Sequence, residues 1–171
     1  MGSGKSTVGP ILANTIGFKF IDLDVFIENK TGKKIGDIFA SEGETKFRAI
    51  EREALNELLP CSSTVLSLGG GTVTNSETLK LIKKNGVVVY LRSDVNHIYQ
   101  RLRTKSDRPM LRDENGNLLD GEDLLRKIET LLNTRTPYYE KADITVTTDN
   151  KKIGNTIDEL AKKIFTHLEQ A

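Results

Sequence analysis

The sequence predicts an α/β domain with a central, mainly parallel sheet. Two observations support this fold class. Helical and strand patterns alternate from one end of the 171 residues to the other, which is typical of a parallel sheet with helices on its faces. The chain also opens with a glycine-rich motif that in known folds joins a strand to a helix and binds phosphate.

The first element is this phosphate-binding loop and its helix. Met1 to Thr7 contain Gly4, Lys5 and Ser6, the second half of the pattern G-x-x-x-x-G-K-[ST]. Glycines let backbone N–H groups approach phosphate oxygens, and the positive end of the helix attracts them. Lys5 adds a charge and Ser6 a ligand for Mg²⁺. From the loop alone, the alternative of a Gly/Ser-rich start before an ordinary helix stays open.

The motif also predicts two features that the 171 residues do not contain. Its first glycine would lie two places before Met1, and the strand that feeds such a loop is absent from the sequence. We expect Met1 to be an internal methionine of the loop, and we expect the strands beside the missing one to have unpaired edges. The alternative is a chain of this length with weak ATP affinity and poor stability.

The remaining elements follow from their apolar spacing. The predicted strands are residues 18–22, 65–68, 87–91 and 144–146. The predicted helices after the first are residues 24–31, 35–59, 76–85, 94–104 and 122–134, and a last helix with Ile153, Ile157, Leu160, Ala161, Ile164 and Leu168 on its buried face. Pro10 predicts a bend in the first helix. Residues 104–121 are polar and fit no element, so we expect a lid there.

Composition excludes several classes of protein. The chain has 25 Lys and Arg against 24 Asp and Glu, so it has no strong field for nucleic acid. No apolar run approaches the roughly 18 residues that a membrane span needs. Cys61 is the only cysteine, which fits a reducing cytosol. We expect one domain over residues 1–171, a cytoplasmic monomer without nucleic-acid or membrane partners. His97 and His167 are interpreted as structural or solvated, with no partner acid at an informative spacing in the sequence.

Acidic residues lie where α/β sheets build their sites. Asp22 and Asp24 follow a predicted strand, at the carboxyl end of the sheet. Two carboxylates there suit a divalent ion and a base that activates a hydroxyl group. The alternative is that Asp24 caps the helix predicted to begin at Val25, and the residues alone favour neither interpretation.

Glycines and arginines complete the candidate site. Gly69, Gly70 and Gly71 follow a buried strand, and three glycines permit close approach of a ligand to the backbone. Arg48, Arg108 and Arg135 lie at predicted element boundaries, and arginine grips carboxylates and phosphates through paired hydrogen bonds. A single arginine is more often a solvated surface residue.

Together these segments resemble the shikimate kinase family, small P-loop kinases of aromatic amino-acid biosynthesis. The resemblance covers nearly the whole chain and implies a three-layer P-loop kinase fold with a mobile lid. The segments that carry it are residues 2–7, 22–24, 38–39, 43–44, 47–51, 68–71, 107–111 and 135–139.

The resemblance implies ATP-dependent phosphorylation of the 3-hydroxyl of shikimate, with Mg²⁺ as cofactor. The residues it assigns to ATP are Gly2, Ser3, Gly4, Lys5, Ser6, Thr7 and Arg108, with Lys152 and Arg101 as weaker candidates beside the adenine. It assigns Mg²⁺ to Ser6 and Asp22, and shikimate to Asp24, Arg48, Gly70 and Arg135. Asp24, Lys5 and Arg108 would be catalytic. A gluconate-type kinase and a non-catalytic kinase-like binding module are the alternatives.

Overall fold

A computed structural model describes residues 2–103, 111, 117 and 119–170 of the chain. Its helices are α1 Lys5–Thr15, α2 Leu23–Thr31, α3 Ile35–Leu58, α4 Ser76–Asn85, α5 Val95–Leu102, α6 Gly121–Tyr139 and α7 Ile153–Glu169. Its strands are β1 Lys19–Asp22, β2 Thr64–Ser67, β3 Val89–Arg92 and β4 Ile144–Thr147. The predicted alternation is confirmed at every strand. Most of the predicted lid, including Arg108, lies outside the described residues.

The strands pair in parallel, as predicted. β1 pairs with β2, with Phe20 opposite Val65, and β3 pairs with β4, with Tyr90 opposite Thr145. Among the described residues the strands form two separate pairs, because none of them joins β2 to β3. The predicted central sheet is therefore present as two halves, and each half has one unpaired inner edge.

The apolar core is divided in the same way. Leu23, Ile27 and Leu55 are fully buried where α2 and α3 cover β1 and β2, while Val146 and Leu160 are fully buried between β4 and α7. A third cluster joins α5 to α6. Burial of each such side chain contributes about 1.5–3 kcal/mol relative to exposure. None of the described helices is both long enough and apolar enough to cross a membrane.

The predicted end of α6 was wrong. The helix continues past Arg135 and through Pro137 to Tyr139, so Arg135 lies inside a helix and not at an element boundary. Proline removes one helical hydrogen bond and usually ends a helix. Here the last turn gains a tertiary bond, because the Tyr139 hydroxyl donates to the carbonyl of Gly70 at 2.6 Å.

The other helices differ from the prediction in smaller ways. α3 bends at Gly43, whose φ of 79° and ψ of 172° are not helical. α1 includes Pro10 without interruption, and the bend expected there stays a prediction. The buried face of α7 was predicted too long, since Ile153 and Leu168 are exposed. These two residues lie in the first and last turns, beyond the strands that cover the middle of the helix.

Candidate active site

The phosphate-binding loop leads directly into α1. Gly2 and Gly4 have φ values of 66° and 96°, a left-handed conformation that favours glycine. The Gly4 carbonyl accepts hydrogen bonds from the amides of Thr7 at 3.0 Å and Val8 at 2.8 Å. Within the described residues no side chain caps this helix. The amides of its first turn, which includes Ser6, are therefore suited to bind an anion.

Two side chains hold the loop at the carboxyl ends of β3 and β4. Arg101 Nη1 donates to the carbonyl of Gly2 at 3.1 Å, and the Thr148 hydroxyl donates to the carbonyl of Ser3 at 3.3 Å. Arg101 also lies 3.7 Å from the Asp149 carboxylate. Lys152 is exposed and directly precedes α7, in the segment that contains these anchors.

The two acids after β1 have different positions. Asp22 caps α2, because its Oδ1 accepts hydrogen bonds from the amides of Asp24 at 3.0 Å and Val25 at 3.4 Å. The interpretation of Asp24 as the cap was therefore wrong, since α2 begins at Leu23. Asp24 lies in the first helical turn, and its Oδ1 would be 3.4 Å from a Cβ on Gly69. The Asp24 carboxylate therefore lies against the glycine turn.

Arg48, Glu51 and Thr72 form a network that we name the buried network. Arg48 Nη1 donates to Glu51 Oε2 at 2.8 Å, and the Thr72 hydroxyl donates to Glu51 Oε1 at 2.6 Å. Glu51 is only 4% exposed. Burial alone would lower the pKa of Arg48, but the carboxylates of Glu51 and Glu44 outweigh it and raise that pKa. The Arg48 guanidinium is therefore held charged and in a fixed position.

The Arg48 guanidinium packs directly against the backbone at Gly71. A Cβ on Gly71 would collide with Nη2 of Arg48, although φ of −93° at Gly71 suits any residue. The Phe47 ring supports the guanidinium, with 5.2 Å from Arg48 Cζ to the ring centroid. Position 71 therefore admits Arg48 because it has no side chain.

Arg135 reaches the glycine turn through a tyrosine. Burial raises the pKa of Tyr139, and a hydrogen bond and the charge of Arg135 partly oppose that rise. The Tyr139 hydroxyl also donates to the carbonyl of Gly70 at 2.6 Å. The predicted residues Gly70 and Arg135 are thus connected by one side chain. Sequence reasoning gave Tyr139 no role, although its spacing of four from Arg135 on a helix was a usable signal.

A second polar cluster follows β3 and β4, and we name Asp94, His97, Asp149 and Asn150 the surface network. His97 Nδ1 lies 2.6 Å from Asp94 Oδ2, and Nε2 lies 3.1 Å from Asn150 Oδ1. The hydrogen bond to Asp94 is the main cause that raises the pKa of His97. The interpretation of His97 as lacking a partner acid was wrong. Asp94 three residues earlier was a visible signal, whereas Asp149 was too distant in sequence.

The two halves of the candidate site meet at one cavity. Ser3 and Lys5 of the loop line the same cavity as Gly69 and Gly70. Amides and a lysine suited to phosphates thus share it with a glycine turn that the Asp24 carboxylate and the Arg48 guanidinium border. The loop suits the phosphates of one anionic molecule, and the Arg48 guanidinium and Asp24 carboxylate beside the glycine turn suit the carboxylate and a hydroxyl group of another.

Comparison with known proteins gives one consistent family. The family model described as shikimate kinase matches residues 1–169. The shikimate kinase of Chlorobium limicola is 48% identical over 170 residues, which cover 99% of this chain and 85% of that protein. The shikimate kinase of Chlorobium chlorochromatii is 50% identical over 167 residues, with 98% and 88% covered.

Solved structures agree with the family model. The structure of a shikimate kinase from Acinetobacter baumannii in complex with shikimate has a TM-score of 0.87 and 36% identity, with 98% of this chain and 89% of that chain covered. A gluconokinase from Sinorhizobium meliloti has a TM-score of 0.60 at 18% identity, with 98% and 92% covered. The second similarity concerns the fold alone.

Proposed function

This chain belongs to the shikimate kinase family, and from that premise we propose how its residues transfer the γ-phosphoryl group of ATP to the 3-hydroxyl of shikimate. The observation that carries the proposal is the fixed, charged Arg48 guanidinium against Gly71, with the Asp24 carboxylate against Gly69. One group suits the carboxylate of a polyol acid and the other suits its reacting hydroxyl.

ATP binds at the start of α1. The amides of the loop receive the phosphates, Lys5 neutralises the β- and γ-phosphates, and Thr7 closes the first turn against Gly4. Arg101 and Lys152 flank the segment after β4, on the side where the adenine would lie. Arg108 would reach the transferred phosphate, and it lies outside the described residues.

Mg²⁺ is the cofactor that we propose, held by Ser6 and by Asp22 through water. Hydroxyl and carboxylate oxygens are ligands that Mg²⁺ prefers. Both capping bonds that Asp22 accepts use Oδ1, so the cap does not require Oδ2. When bound, the ion neutralises charge on the β- and γ-phosphate oxygens.

The surface network does not fit that ion. Ligand atoms of Asp94, His97 and Asp149 lie within 4.8 Å of one another, but His97 offers nitrogen, which suits transition metals better than Mg²⁺. Both ring nitrogens also face oxygen acceptors inside the network.

Shikimate binds beside the glycine turn. Arg48 and Arg135 hold its carboxylate, the backbone of Gly70 contacts its hydroxyls, and Asp24 orients the 3-hydroxyl and accepts its proton. Bonds to Glu51 and Tyr139 keep the two arginines in position before substrate arrives. Catalysis would then consist mainly of positioning and charge neutralisation.

We also propose that the protein acts as a cytoplasmic monomer. The single cysteine suits a reducing compartment, and the balanced charge gives no support for binding to nucleic acid. Its partners would be the small molecules ATP and shikimate.

The test is ADP release from Mg-ATP with shikimate, with gluconate, and with neither. We expect release that depends on shikimate, and Asp24→Asn should lower kcat by about 10²–10⁴-fold because the general base is lost. Asp37→Asn is the control, since Asp37 is an exposed acid in the first turn of α3. Release that is equal with gluconate, or full activity of Asp24→Asn, would contradict the proposal.

A further inference from the structure

Asp149 is a nearly buried carboxylate that comes directly after β4, and its side chain is only 11% exposed. Its Oδ2 accepts a hydrogen bond from the amide of Asp94 at 2.8 Å, and its Oδ1 accepts one from the hydroxyl of Ser93. Oδ1 also lies 3.7 Å from Arg101 Nη2. Asp149 therefore joins the carboxyl ends of β3 and β4 and places a negative charge beside Arg101.

Arg101 connects these strand ends to the phosphate-binding loop. Its Nη1 donates to the carbonyl of Gly2 at 3.1 Å and to the hydroxyl oxygens of Ser93 at 3.3 Å and Thr148 at 3.4 Å. Ser93 and Thr148 are both buried, so water does not compete strongly for these bonds. The Thr148 hydroxyl in turn donates to the carbonyl of Ser3 at 3.3 Å. Two consecutive carbonyls of the loop are thus bonded to the side chains that surround the carboxylate.

Bonds to these carbonyls set the direction of the loop amides. In a trans peptide the carbonyl and the following N–H point in opposite directions, and none of the described peptide bonds is cis. Bonds to the carbonyls of Gly2 and Ser3 therefore direct the N–H groups of Ser3 and Gly4 away from the strand ends. Gly2 and Gly4 have φ values of 66° and 96°, and successive N–H groups beside left-handed residues form a concave anion site.

We propose that Asp149 is a positioning residue for ATP, which acts through Ser93 and Arg101 to hold the loop amides in the orientation that the phosphates require. It does so without contact to the nucleotide. Donors that are already oriented bind an anion more tightly, because the cost of ordering them does not reduce the affinity. This inference rests on the proposed binding of ATP at the start of α1, and it adds a residue that no part of that proposal includes.

The test is Asp149→Asn, which keeps the shape of the side chain and removes the charge beside Arg101. Isothermal titration calorimetry measures the binding of Mg-ATP, of inorganic tripolyphosphate with Mg²⁺, and of adenosine. We expect the Kd of ATP and the Kd of tripolyphosphate to rise by the same factor, about tenfold, because a charge-assisted interaction is lost. The Kd of adenosine and the KM for shikimate should not change.

Asp143 provides a matched control at the amino ends of the same two strands. Its Oδ2 accepts a hydrogen bond from the amide of Val88 at 2.8 Å, its Oδ1 lies 2.7 Å from Lys83 Nζ, and its side chain is 17% exposed. Asp143→Asn should lower the Tm about as much as Asp149→Asn and leave the Kd of tripolyphosphate unchanged. An equal rise of that Kd in both variants would mean that Asp149 contributes only to stability, and would overturn the proposal.

A double-mutant cycle tests whether Asp149 acts through Arg101. If it does, adding Asp149→Asn to Arg101→Ala should raise the Kd of tripolyphosphate little further, whereas additive effects would contradict the proposal. Ser93→Ala removes the hydroxyl between the two side chains and keeps both charges. It should produce the same pattern with a smaller rise. If Asp149→Asn does not fold, Ser93→Ala decides, and an unchanged Kd of tripolyphosphate there would overturn the proposal.

The remaining outcomes concern the ligand. A rise in the Kd of ATP without a rise for tripolyphosphate would mean that Asp149 contacts the nucleoside, and it would overturn a role through the loop. No change for either ligand in Asp149→Asn, or no binding of tripolyphosphate by the unaltered chain, would equally overturn it. Calorimetry detects binding and not phosphoryl transfer, so these results decide the role of Asp149 whether or not ADP release depends on shikimate.

Discussion

The buried network beside β2 and the surface network beside β3 and β4 hold charge in different ways. In the first, Glu51 is 4% exposed and divides its two oxygens between Arg48 and Thr72. In the second, the Asp94 side chain is 54% exposed, so water competes for each bond. A broken pair leaves a buried charge in one case and a solvated charge in the other. Removal of one group should therefore lower the free energy of unfolding far more in the buried network than in the surface network.

The largest effect is expected from Glu51→Gln, which keeps the shape of the side chain and removes its charge. Arg48 then loses the carboxylate that balances its own burial, and the free energy of unfolding should fall by about 2–3 kcal/mol. Urea denaturation measures this loss, and the KM for shikimate should rise with it.

Glu44→Gln is the matched control on the same guanidinium. The Glu44 carboxylate accepts from Arg48 Nη2 at 3.1 Å, but its side chain is 65% exposed. Its removal should lower the free energy of unfolding by less than about 1 kcal/mol, as for other ion pairs at protein surfaces. Equal losses of unfolding free energy in Glu51→Gln and Glu44→Gln would mean that burial does not make the bond from Arg48 to Glu51 more stabilising than its bond to Glu44.

Substitution of Gly71, which lies at the edge of the buried network, should alter the position of Arg48 without a large loss of stability. In Gly71→Ala the added Cβ meets the flexible end of Arg48, so the guanidinium moves while the backbone stays. We expect the KM for shikimate to rise about tenfold, equivalent to about 1.4 kcal/mol, with little change in Tm. Gly86→Ala is the control, because a Cβ there meets nothing within 4 Å. A fall in Tm without a change in KM would contradict this role for Arg48.

Tyr139→Phe tests a bond of intermediate burial. The substitution removes the hydroxyl that donates to Gly70 at 2.6 Å and keeps the ring that packs on Tyr90. We expect a loss of about 1 kcal/mol in the free energy of unfolding, together with weaker shikimate binding, because Gly70 and Arg135 share this partner. Tyr138→Phe is the neighbouring control, and an equal loss there would argue against a special role for the Tyr139 hydroxyl.

Whether a feature could be predicted from the sequence depends on how far apart in the chain its residues lie. The strands and most helix boundaries depend on residues close in sequence, so their patterns were visible. The bond from Tyr139 to Gly70 spans 69 residues, and the contact of His97 with Asp149 spans 52 residues between two strand ends. These depend on how the halves of the sheet are arranged. The continuation of α6 through Pro137 was missed for the same reason, since a tertiary bond offsets a local penalty.

The surface network should respond mainly to pH. The hydrogen bond to Asp94 raises the pKa of His97, and the amide of His97 lowers the pKa of Asp94. A histidine with a raised folded pKa stabilises the protein fully below its unfolded value of about 6.5, and this contribution is lost as pH rises through the folded value. The Asp94 contribution is present above its unfolded value of about 3.9 and is lost as pH falls through the lowered one.

His97→Gln should therefore remove a pH dependence and leave the stability at high pH almost unchanged. In the unaltered chain the Tm should decline as pH rises from about 6.5 through the raised pKa of His97. The decline should be smaller in high salt, because these side chains face water. His97→Gln should lose this decline, whereas His167→Gln, which removes the other histidine, should keep it. If His97→Gln shows the same decline as the unaltered chain, the charge on His97 does not contribute, and the surface network acts through its neutral hydrogen bonds alone.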